Sequence, residues 1–209
     1  MKRTALTLFS LLALACMAFA EEVEIAGLSL QAPHGWQSEP PATPMRAAQW
    51  KIAGKNDTKG DAPADAEGGK VVAFFFGAGQ GGDAKANLAR WSTTMTTPQG
   101  APAVGETTTR KTGPDGAVSV TELAIYGTYA NTMAAPGLPA APLPNYGLIG
   151  VILEYPGGPL FLRLTGPEAL VRKQLTLFNK FVDSAKSAPA PAPAAGASTA
   201  TPANPAPKS

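Results

Sequence analysis

The residues with the best spacing for chemistry lie at positions 77–82, where the sequence GAGQGG contains the pattern GxGxxG. Between a strand and a helix, this pattern is typical of dinucleotide-binding proteins, because glycines let a pyrophosphate approach the free amides of the helix. Such a site also needs an acidic residue at the end of a second strand, about 20 residues later. The nearest candidate, Glu106, precedes a hairpin instead. We therefore interpret the stretch as a structural turn, with anion binding at the helix N-terminus as the alternative.

An acidic loop is a second candidate, in this case for calcium. Four carboxylates fall within residues 55–70: Asp57, Asp61, Asp65 and Glu67. Their spacing does not match the calcium-loop pattern, which alternates its ligands around a central glycine and ends on a glutamate. A solvated loop is therefore favoured over a metal site.

Two glutamates on predicted strands, Glu122 and Glu154, are the remaining acid–base candidates. If they converged, they could form a sparse carboxylate-based site near the glycine turn, as in a hydrolase. Surface positions on the strands are the simpler interpretation. Three arginines could pair with these carboxylates: Arg46, Arg90 and Arg163.

Histidine and cysteine, which often serve as catalysts and metal ligands, each occur once. His34 lies between Pro33 and Gly35, so we interpret it as a turn residue. The sequence contains neither a GxSxG nucleophile turn nor an HExxH metal motif. No catalytic, cofactor-binding or metal-ligating residue is assigned, and no cofactor is implied.

The first 20 residues have the organisation of a secretory signal peptide. The segment begins with positive charge, continues with a short apolar core over residues 5–15, and ends on the small-x-small sequence AFA. The alternative is lipoprotein processing at Cys16, although Ala13 stands where a leucine is usual. Cleavage after Ala20 is predicted. The mature chain would then be periplasmic or secreted and would contain no cysteine.

Removal of this segment would balance the charge of the chain. Of 17 lysines and arginines, Lys2 and Arg3 leave with the signal peptide, so 15 remain against 15 aspartates and glutamates. A neutral mature protein gives no argument for binding nucleic acid or an anionic membrane. No integral membrane segment is expected in the mature chain, because the apolar core of the signal peptide is short and leaves with it.

The glycine turn follows an apolar run at residues 71–76, VVAFFF. An uninterrupted run this short is typical of a strand covered on both faces, and its three phenylalanines must alternate between those faces. Asp83 is predicted to cap the helix that follows. A stripe at helical spacing would bury Ala84, Leu88, Trp91 and Met95. Trp91 is predicted to be a core residue, with an exposed aromatic platform for a ligand as the alternative.

Turn signals between apolar runs predict the rest of the sheet. Hairpins are expected at three places, within residues 23–30, 107–129 and 147–164. Residues 45–52 alternate as a half-buried strand. Trp36 is expected to fill the core at the edge of the sheet.

A last helix and a proline-rich tail complete the chain. The sequence TGPE at residues 165–168 fits a capping box, and the helix after it would bury Val171, Leu175, Phe178 and Val182. Residues 131–145 form a proline-rich loop. The predicted organisation is a signal peptide (1–20), a single domain (21–184) and a disordered Ala/Pro-rich tail (185–209).

Consecutive strands joined by turns indicate an α+β fold, a mainly antiparallel β-sheet with two long helices packed on it. Three stretches resemble the PsbP-like α/β/α sandwich family in pattern and order: LSLQAPHGW from residue 28, VVAFFFG from residue 71 and LFLRLTGPEALVRKQLTLFNKFV from residue 160. That family includes photosystem II extrinsic proteins, exported bacterial lipoproteins and a Ran-binding branch. The resemblance spans most of residues 22–184 and includes no catalytic signature. It implies a fold rather than a function, and no ligand residue is carried over from it.

Two classes of function remain at this point. The first is an exported, non-catalytic binding or assembly module of the bacterial cell envelope, whose partner would be an envelope protein or a small ligand. The second is an envelope hydrolase with a sparse carboxylate site around Glu122, Glu154 and the glycine turn. The well-specified core and the lack of a catalytic constellation favour the first.

Overall fold

The computed structural model of the protein describes residues 21–54, 68–130 and 141–187. The predicted signal peptide, the four acidic residues of the calcium hypothesis and most of the proline-rich loop and tail therefore lie outside the described residues. The strands, in chain order, are β1 (Glu21–Ile25), β2 (Leu28–Ala32), β3 (Trp36–Glu39), β4 (Arg46–Ile52), β5 (Gly69–Phe75), β6 (Met95–Thr96), β7 (Glu106–Thr112), β8 (Val118–Tyr129), β9 (Leu143–Tyr155), β10 (Gly158–Pro167) and β11 (Lys186–Ser187). The α-helices of these ranges are α1 (Ala84–Ser92) and α2 (Glu168–Asp183).

Within the described ranges, eight strands form one sheet in the order β3-β4-β5-β10-β9-β8-β6, with β7 also paired to β8. A second, smaller sheet has the order β1-β2-β11. Every strand pairing there is antiparallel. The three predicted hairpins are present as β1–β2, β7–β8 and β9–β10. The predicted fold class, a mainly antiparallel sheet with two helices packed on it, is confirmed.

The large sheet is covered on both faces. Helix α2 packs on one face together with the small sheet, and helix α1 packs on the other. We call these the α2 face and the α1 face. In β5, Phe75 packs on the α2 face and Phe74 on the α1 face, because successive side chains of a strand alternate. Phe76 differs from the predicted pattern, because it follows the end of β5 and is 42% exposed.

The core on the α2 face is rich in aromatic rings. Trp36 on the edge strand β3 is buried, as predicted, and its indole Nε1 donates a hydrogen bond to Gln174 of α2 at 3.2 Å. Its ring lies 6.2 Å from that of Trp50 and 5.4 Å from that of Phe181, measured between centroids. The contact between Trp36 and Phe181 joins the edge of the sheet to the C-terminal part of α2.

Both helices begin or end differently from the sequence prediction. Helix α1 ends at Ser92, and Met95 is buried at the start of β6. The hydroxyls of Thr93 and Thr94 donate to the carbonyls of Arg90 and Trp91, which satisfies groups at the helix end. Met95 has the helical spacing of the buried residues of α1 but belongs to β6, so the predicted helix was one turn too long.

The capping box predicted for α2 is wrong. Thr165 belongs to β10, and the N-cap of α2 is Pro167, which makes no side-chain hydrogen bond. Glu168 instead accepts a hydrogen bond from Arg172 Nε at 2.8 Å, one turn along the helix. Strand pairing with β9 extends β10 through Pro167, and this pairing overrides the local capping pattern.

The described chain continues past residue 184, the predicted end of the domain. Ala185 is buried, and β11 pairs with β2 through Lys186 opposite Ser29 and Ser187 opposite Leu28. The amide of Gln31 also donates to Ser184 Oγ at 2.8 Å. The two strand pairs and this hydrogen bond attach the segment after α2 to β2 of the small sheet.

We expect truncation after Ser187 to leave the melting temperature nearly unchanged, because residues 188–209 contain almost no large apolar side chain. Truncation after Ser184 should lower it by several degrees, since it removes a buried alanine and strand β11. Thermal unfolding of the two truncated chains and the full chain tests the pair. Equal melting temperatures for the two truncations would show that β11 contributes nothing to stability.

Candidate functional site

The glycine turn follows β5, a strand whose two neighbours in the sheet are both antiparallel to it. Strand β5 pairs antiparallel with β4 on one side and with β10 on the other, so the parallel strands of a dinucleotide fold do not flank it. At the start of α1, the Asp83 carboxylate accepts a hydrogen bond from the amide of Ala86 at 2.9 Å. A side chain of the protein thus occupies the position that an anion would take at this helix N-terminus. The geometry agrees with the structural interpretation of residues 77–82.

The turn is held against the helix by a buried amide. Asn87 donates from Nδ2 to the carbonyl of Gly81 at 2.8 Å and to that of Asp83 at 2.9 Å. Gly81 has φ +92°, and a Cβ there would lie 2.6 Å from the ring of Phe161. Only glycine fits this approach without displacing the ring. The Oδ1 of Asn87 accepts a hydrogen bond from Arg90 Nη2, so the turn also fixes the position of that guanidinium.

Glu122 and Glu154 do not converge, contrary to the hydrolase hypothesis. Glu122 lies between Val120 and Ala124, which pack on the α2 face. Glu154 follows Leu153 of the α2 face and therefore points to the opposite side of the sheet, where it is exposed. The two carboxylates are separated by the sheet itself and cannot act on one substrate atom.

Glu122 belongs to an ion-pair cluster instead. Arg110 of β7 donates from Nη1 to Glu122 at 2.7 Å and from Nε to Asp183 at 2.8 Å. Burial opposes the charge of Arg110, but both carboxylates favour it, and the pKa of this guanidinium is raised. Thr112 also donates its hydroxyl to the carbonyl of Asp183. The partner of Glu122 is thus Arg110, which was not among the three arginines considered from the sequence, and the cluster joins β7 to the end of α2.

Two of those three arginines, Arg90 and Arg163, line a cavity of about 300 Å³ on the α1 face. We call this cavity the aromatic–arginine pocket. Its lining residues come from β5, α1, β10 and the chain just before β4, just after β5 and just after α1: Met45, Phe74, Phe76, Asn87, Arg90, Trp91, Thr94, Phe161 and Arg163. Arg46 adjoins the pocket, since it lies opposite Phe74 in the β4–β5 pairing.

Aromatic rings form the apolar part of the pocket. Phe161 lies at the centre of the group, with ring centroids 5.7 Å from Phe76 and 6.5 Å from Trp91, both in edge-to-face arrangements. Phe74 and Phe76 are nearly parallel, at 8°. Trp91 is only 6% exposed, so its predicted core position is confirmed although one part of it reaches the pocket. The pocket therefore presents both ring faces and ring edges.

Arg163 places positive charge inside this aromatic group. Its Cζ lies 5.9 Å from the centroid of Phe74, within reach of a cation–π interaction. Burial lowers the pKa of the Arg163 guanidinium; Tyr129 opposes that shift, and the charges of Arg46 and Arg90 add to it. An arginine remains protonated at neutral pH even so. Arg163 thus carries positive charge beside the cavity, with the charges of Arg46 and Arg90 acting on it.

The rim of the pocket is apolar and open to solvent. Met45 is 58% exposed and Phe76 is 42% exposed. Both belong to the few large hydrophobic side chains that the described part of the chain exposes, and both line the same cavity. Exposed apolar side chains grouped at a cavity mark a binding surface more strongly than scattered ones do.

A second cavity, of about 730 Å³, lies along the first turns of α2 and the start of β9. Its lining is mostly aliphatic, with Lys173 as its cation, and its Gln174 already accepts the hydrogen bond of Trp36. Among the described residues, no group of three or more His, Cys, Asp or Glu side chains could hold a metal ion. The aromatic–arginine pocket is therefore the site with the clearest chemistry for recognising a ligand.

Comparison with known proteins gives likenesses of fold. No family model and no curated protein matches the chain. It is similar to the solution structure of cyanobacterial PsbP (CyanoP) from Synechocystis, with 13% identity, 82% of this chain and 94% of that chain covered, and a TM-score of 0.47. It is also similar to a crystal structure of a Pseudomonas aeruginosa protein of unknown function, with 12% identity, 84% and 99% covered, and a TM-score of 0.37.

The layout predicted from the sequence, an antiparallel sheet with a helix on each face, is confirmed by the chain's own strand pairings and packing. At these identities, nothing about function follows from the likenesses. In the residues that the structure describes, neither helix has the length and apolar character needed to cross a bilayer.

Proposed function

We propose that the protein is an exported, non-catalytic binding module of the bacterial cell envelope and that the aromatic–arginine pocket holds its ligand. The observation that carries this proposal is an aromatic cavity lined by Arg90 and Arg163 with Arg46 beside it, although the three arginines lie far apart in the sequence. A pocket with a mainly apolar lining and a few convergent polar groups is the usual form of a small-molecule site.

The polar groups of the pocket support binding rather than catalysis. Guanidinium groups donate hydrogen bonds and do not give up a proton near neutral pH, so they cannot act as general bases. Asn87 already uses its amide to hold the glycine turn and Arg90. Of the two carboxylates considered for acid–base chemistry, Glu122 is paired with Arg110 on the α2 face, and Glu154 is exposed and does not line the pocket. No observation therefore favours the hydrolase.

Binding is tested by titrating the purified protein with small ligands of three classes, namely anionic, neutral and cationic, and following melting temperature. At least one class should raise it, because a ligand that binds only the folded state stabilises that state. Ligand recovered after long incubation should be chemically unchanged. The proposal fails if no class stabilises the protein at any accessible concentration, or if the recovered ligand has been converted to a product.

Export is tested by the mass of the mature chain. We expect intact-mass measurement of the protein from the periplasm to give an N-terminus at Glu21, because the sequence AFA at residues 18–20 is a small-x-small cleavage site. A diacylglyceryl-modified Cys16 at the N-terminus would instead show lipoprotein processing and membrane anchoring. Retention of residues 1–20 by a cytoplasmic protein would contradict export.

A further inference from the structure

We propose that the ligand of the aromatic–arginine pocket is a small planar aromatic carboxylate, with its ring against the phenylalanines and its carboxylate on the arginines. This inference rests on the proposed binding function and adds the chemical class of the ligand. It is carried by the size of the cavity, by the charge around it and by the geometry of its rings.

The volume of the pocket limits the ligand to a small molecule. At about 300 Å³, it stands at the lower end of the range of roughly 300–1,000 Å³ that is usual for ligand sites. A molecule of one or two fused rings with one small polar group fits such a volume. Trp91 and Phe161, both buried, line the cavity.

The charge of the pocket selects an anion. Arg90 and Arg163 line the cavity, and Arg46 lies beside it, opposite Phe74 in the β4–β5 pairing. Arg46 also donates from Nη1 to Gln49 Oε1 at 2.7 Å. Arg90 is held in place through Nη2 by Asn87, which leaves the other N–H groups of that guanidinium for a ligand. The planar fork of a guanidinium matches the two oxygens of a carboxylate. A cationic ligand would meet repulsion from all three arginines.

The rings of the pocket select a planar aromatic body over an aliphatic one. Phe76 offers a partly exposed ring at the rim, nearly parallel to Phe74. Phe161 stands edge-on to Phe76 and to Trp91. Aromatic pairs favour offset-stacked and edge-to-face arrangements, and this pocket has ring surfaces for both. Met45 adds a thioether at the rim, a group that packs well on aromatic rings.

The test uses three probes that separate ring from charge: 2-naphthoate, its neutral isostere 2-naphthamide, and acetate. We expect 2-naphthoate to shift the indole N–H resonance of Trp91 in a ¹⁵N-labelled sample and to leave those of Trp36 and Trp50, on the α2 face, unchanged. It should bind at least about ten-fold more tightly than the amide or acetate, because each of these lacks one of the two recognised parts.

Matched variants assign the effect to the pocket. Arg90→Gln should weaken 2-naphthoate by about ten-fold, whereas Lys85→Gln, which removes the same charge from an exposed position of the same helix outside the pocket, should not. Phe76→Ala should weaken it by several-fold, whereas Leu177→Ala, with a similar exposure of 38% on α2, should not. All four positions are exposed, so the variants should fold.

The results also separate this inference from the function on which it rests. Equal affinity for naphthoate and naphthamide, or equal losses in Arg90→Gln and Lys85→Gln, would overturn the aromatic carboxylate. The same holds if a cationic or neutral ligand, and not naphthoate, shifts the Trp91 resonance, although that result would leave the binding function intact. If no ligand class stabilises the protein or shifts that resonance, both proposals fail.

Discussion

Replacement of Trp91 by alanine is expected to lower the free energy of unfolding by about 3–5 kcal/mol, the usual range for removal of a large buried aromatic side chain. The indole is 6% exposed and lies against Gly150 of β9, where a Cβ would come within 2.2 Å of the ring. It also meets the edge of Phe161. The sheet thus leaves a space without a side chain for this ring, and alanine would not fill it.

Phe76→Ala is the matched control, because Phe76 is an aromatic residue of the same pocket but is 42% exposed. We expect its cost to be clearly smaller than that of Trp91→Ala, since a ring that is 42% exposed has less burial to lose than one that is 6% exposed. Urea unfolding of both variants gives the comparison. Equal unfolding midpoints for Trp91→Ala and the parent would show that the indole serves the pocket and not the core.

The second large effect is expected at the ion-pair cluster. Arg110→Met should cost about 3 kcal/mol, the lower end of the range for breaking a buried pair, because 28% of the Arg110 side chain reaches solvent. The cost arises mainly from Glu122, whose carboxylate would remain largely buried beside the core of the α2 face without its cation. Chemical denaturation at neutral pH measures it.

A double variant shows whether the loss of stability in Arg110→Met is caused by the unpaired carboxylate of Glu122. Arg110→Met combined with Glu122→Leu should be more stable than Arg110→Met alone, since replacement of a whole buried pair by apolar side chains is often neutral. Arg172→Ala, which removes an exposed pair with Glu168 within α2 but also a cation over the ring of Tyr126, should cost less than Arg110→Met. A double variant no more stable than Arg110→Met would show that the unpaired charge of Glu122 is not the source of the cost.

The elements of this fold could be predicted well where local chemistry decides them. The predicted turn at residues 113–116 joins two strands that pair antiparallel, as expected for residues 107–112 and 117–129, and the pairing begins one residue earlier, at Glu106. Asp83 caps α1 as its position suggests. Met95 and Thr165 were predicted wrongly for one shared reason: strand pairing across the sheet decided where each element ended, and no local pattern records that pairing.

The candidate site could not be predicted, because it depends on register. Residues 130–142 separate β8 from β9, so the sequence did not show which residues of these strands stand opposite each other or which face each one takes. The sequence could therefore not decide whether the carboxylates of Glu122 and Glu154 lie on the same face of the sheet. Arg46, Arg90 and Arg163 come from β4, α1 and β10, which meet only in the folded sheet. One signal was available in the sequence. Arg163 interrupts the apolar strand LFLRL, and a charged residue in a buried strand is uncommon enough to indicate a specific role.

The pairing of β11 with β2 has a consequence for how the chain reaches its native state. The first and last strands of the described domain lie in one small sheet, and the bond from Gln31 to Ser184 spans 153 residues. A contact of such sequence separation forms late, because the entropy of closing so long a loop must be met before it contributes. The small sheet can therefore be completed only when the residues of β11 are available to pair with β2. If the chain is exported as proposed, we expect this small sheet to be completed only after the C-terminal end of the domain has crossed the membrane.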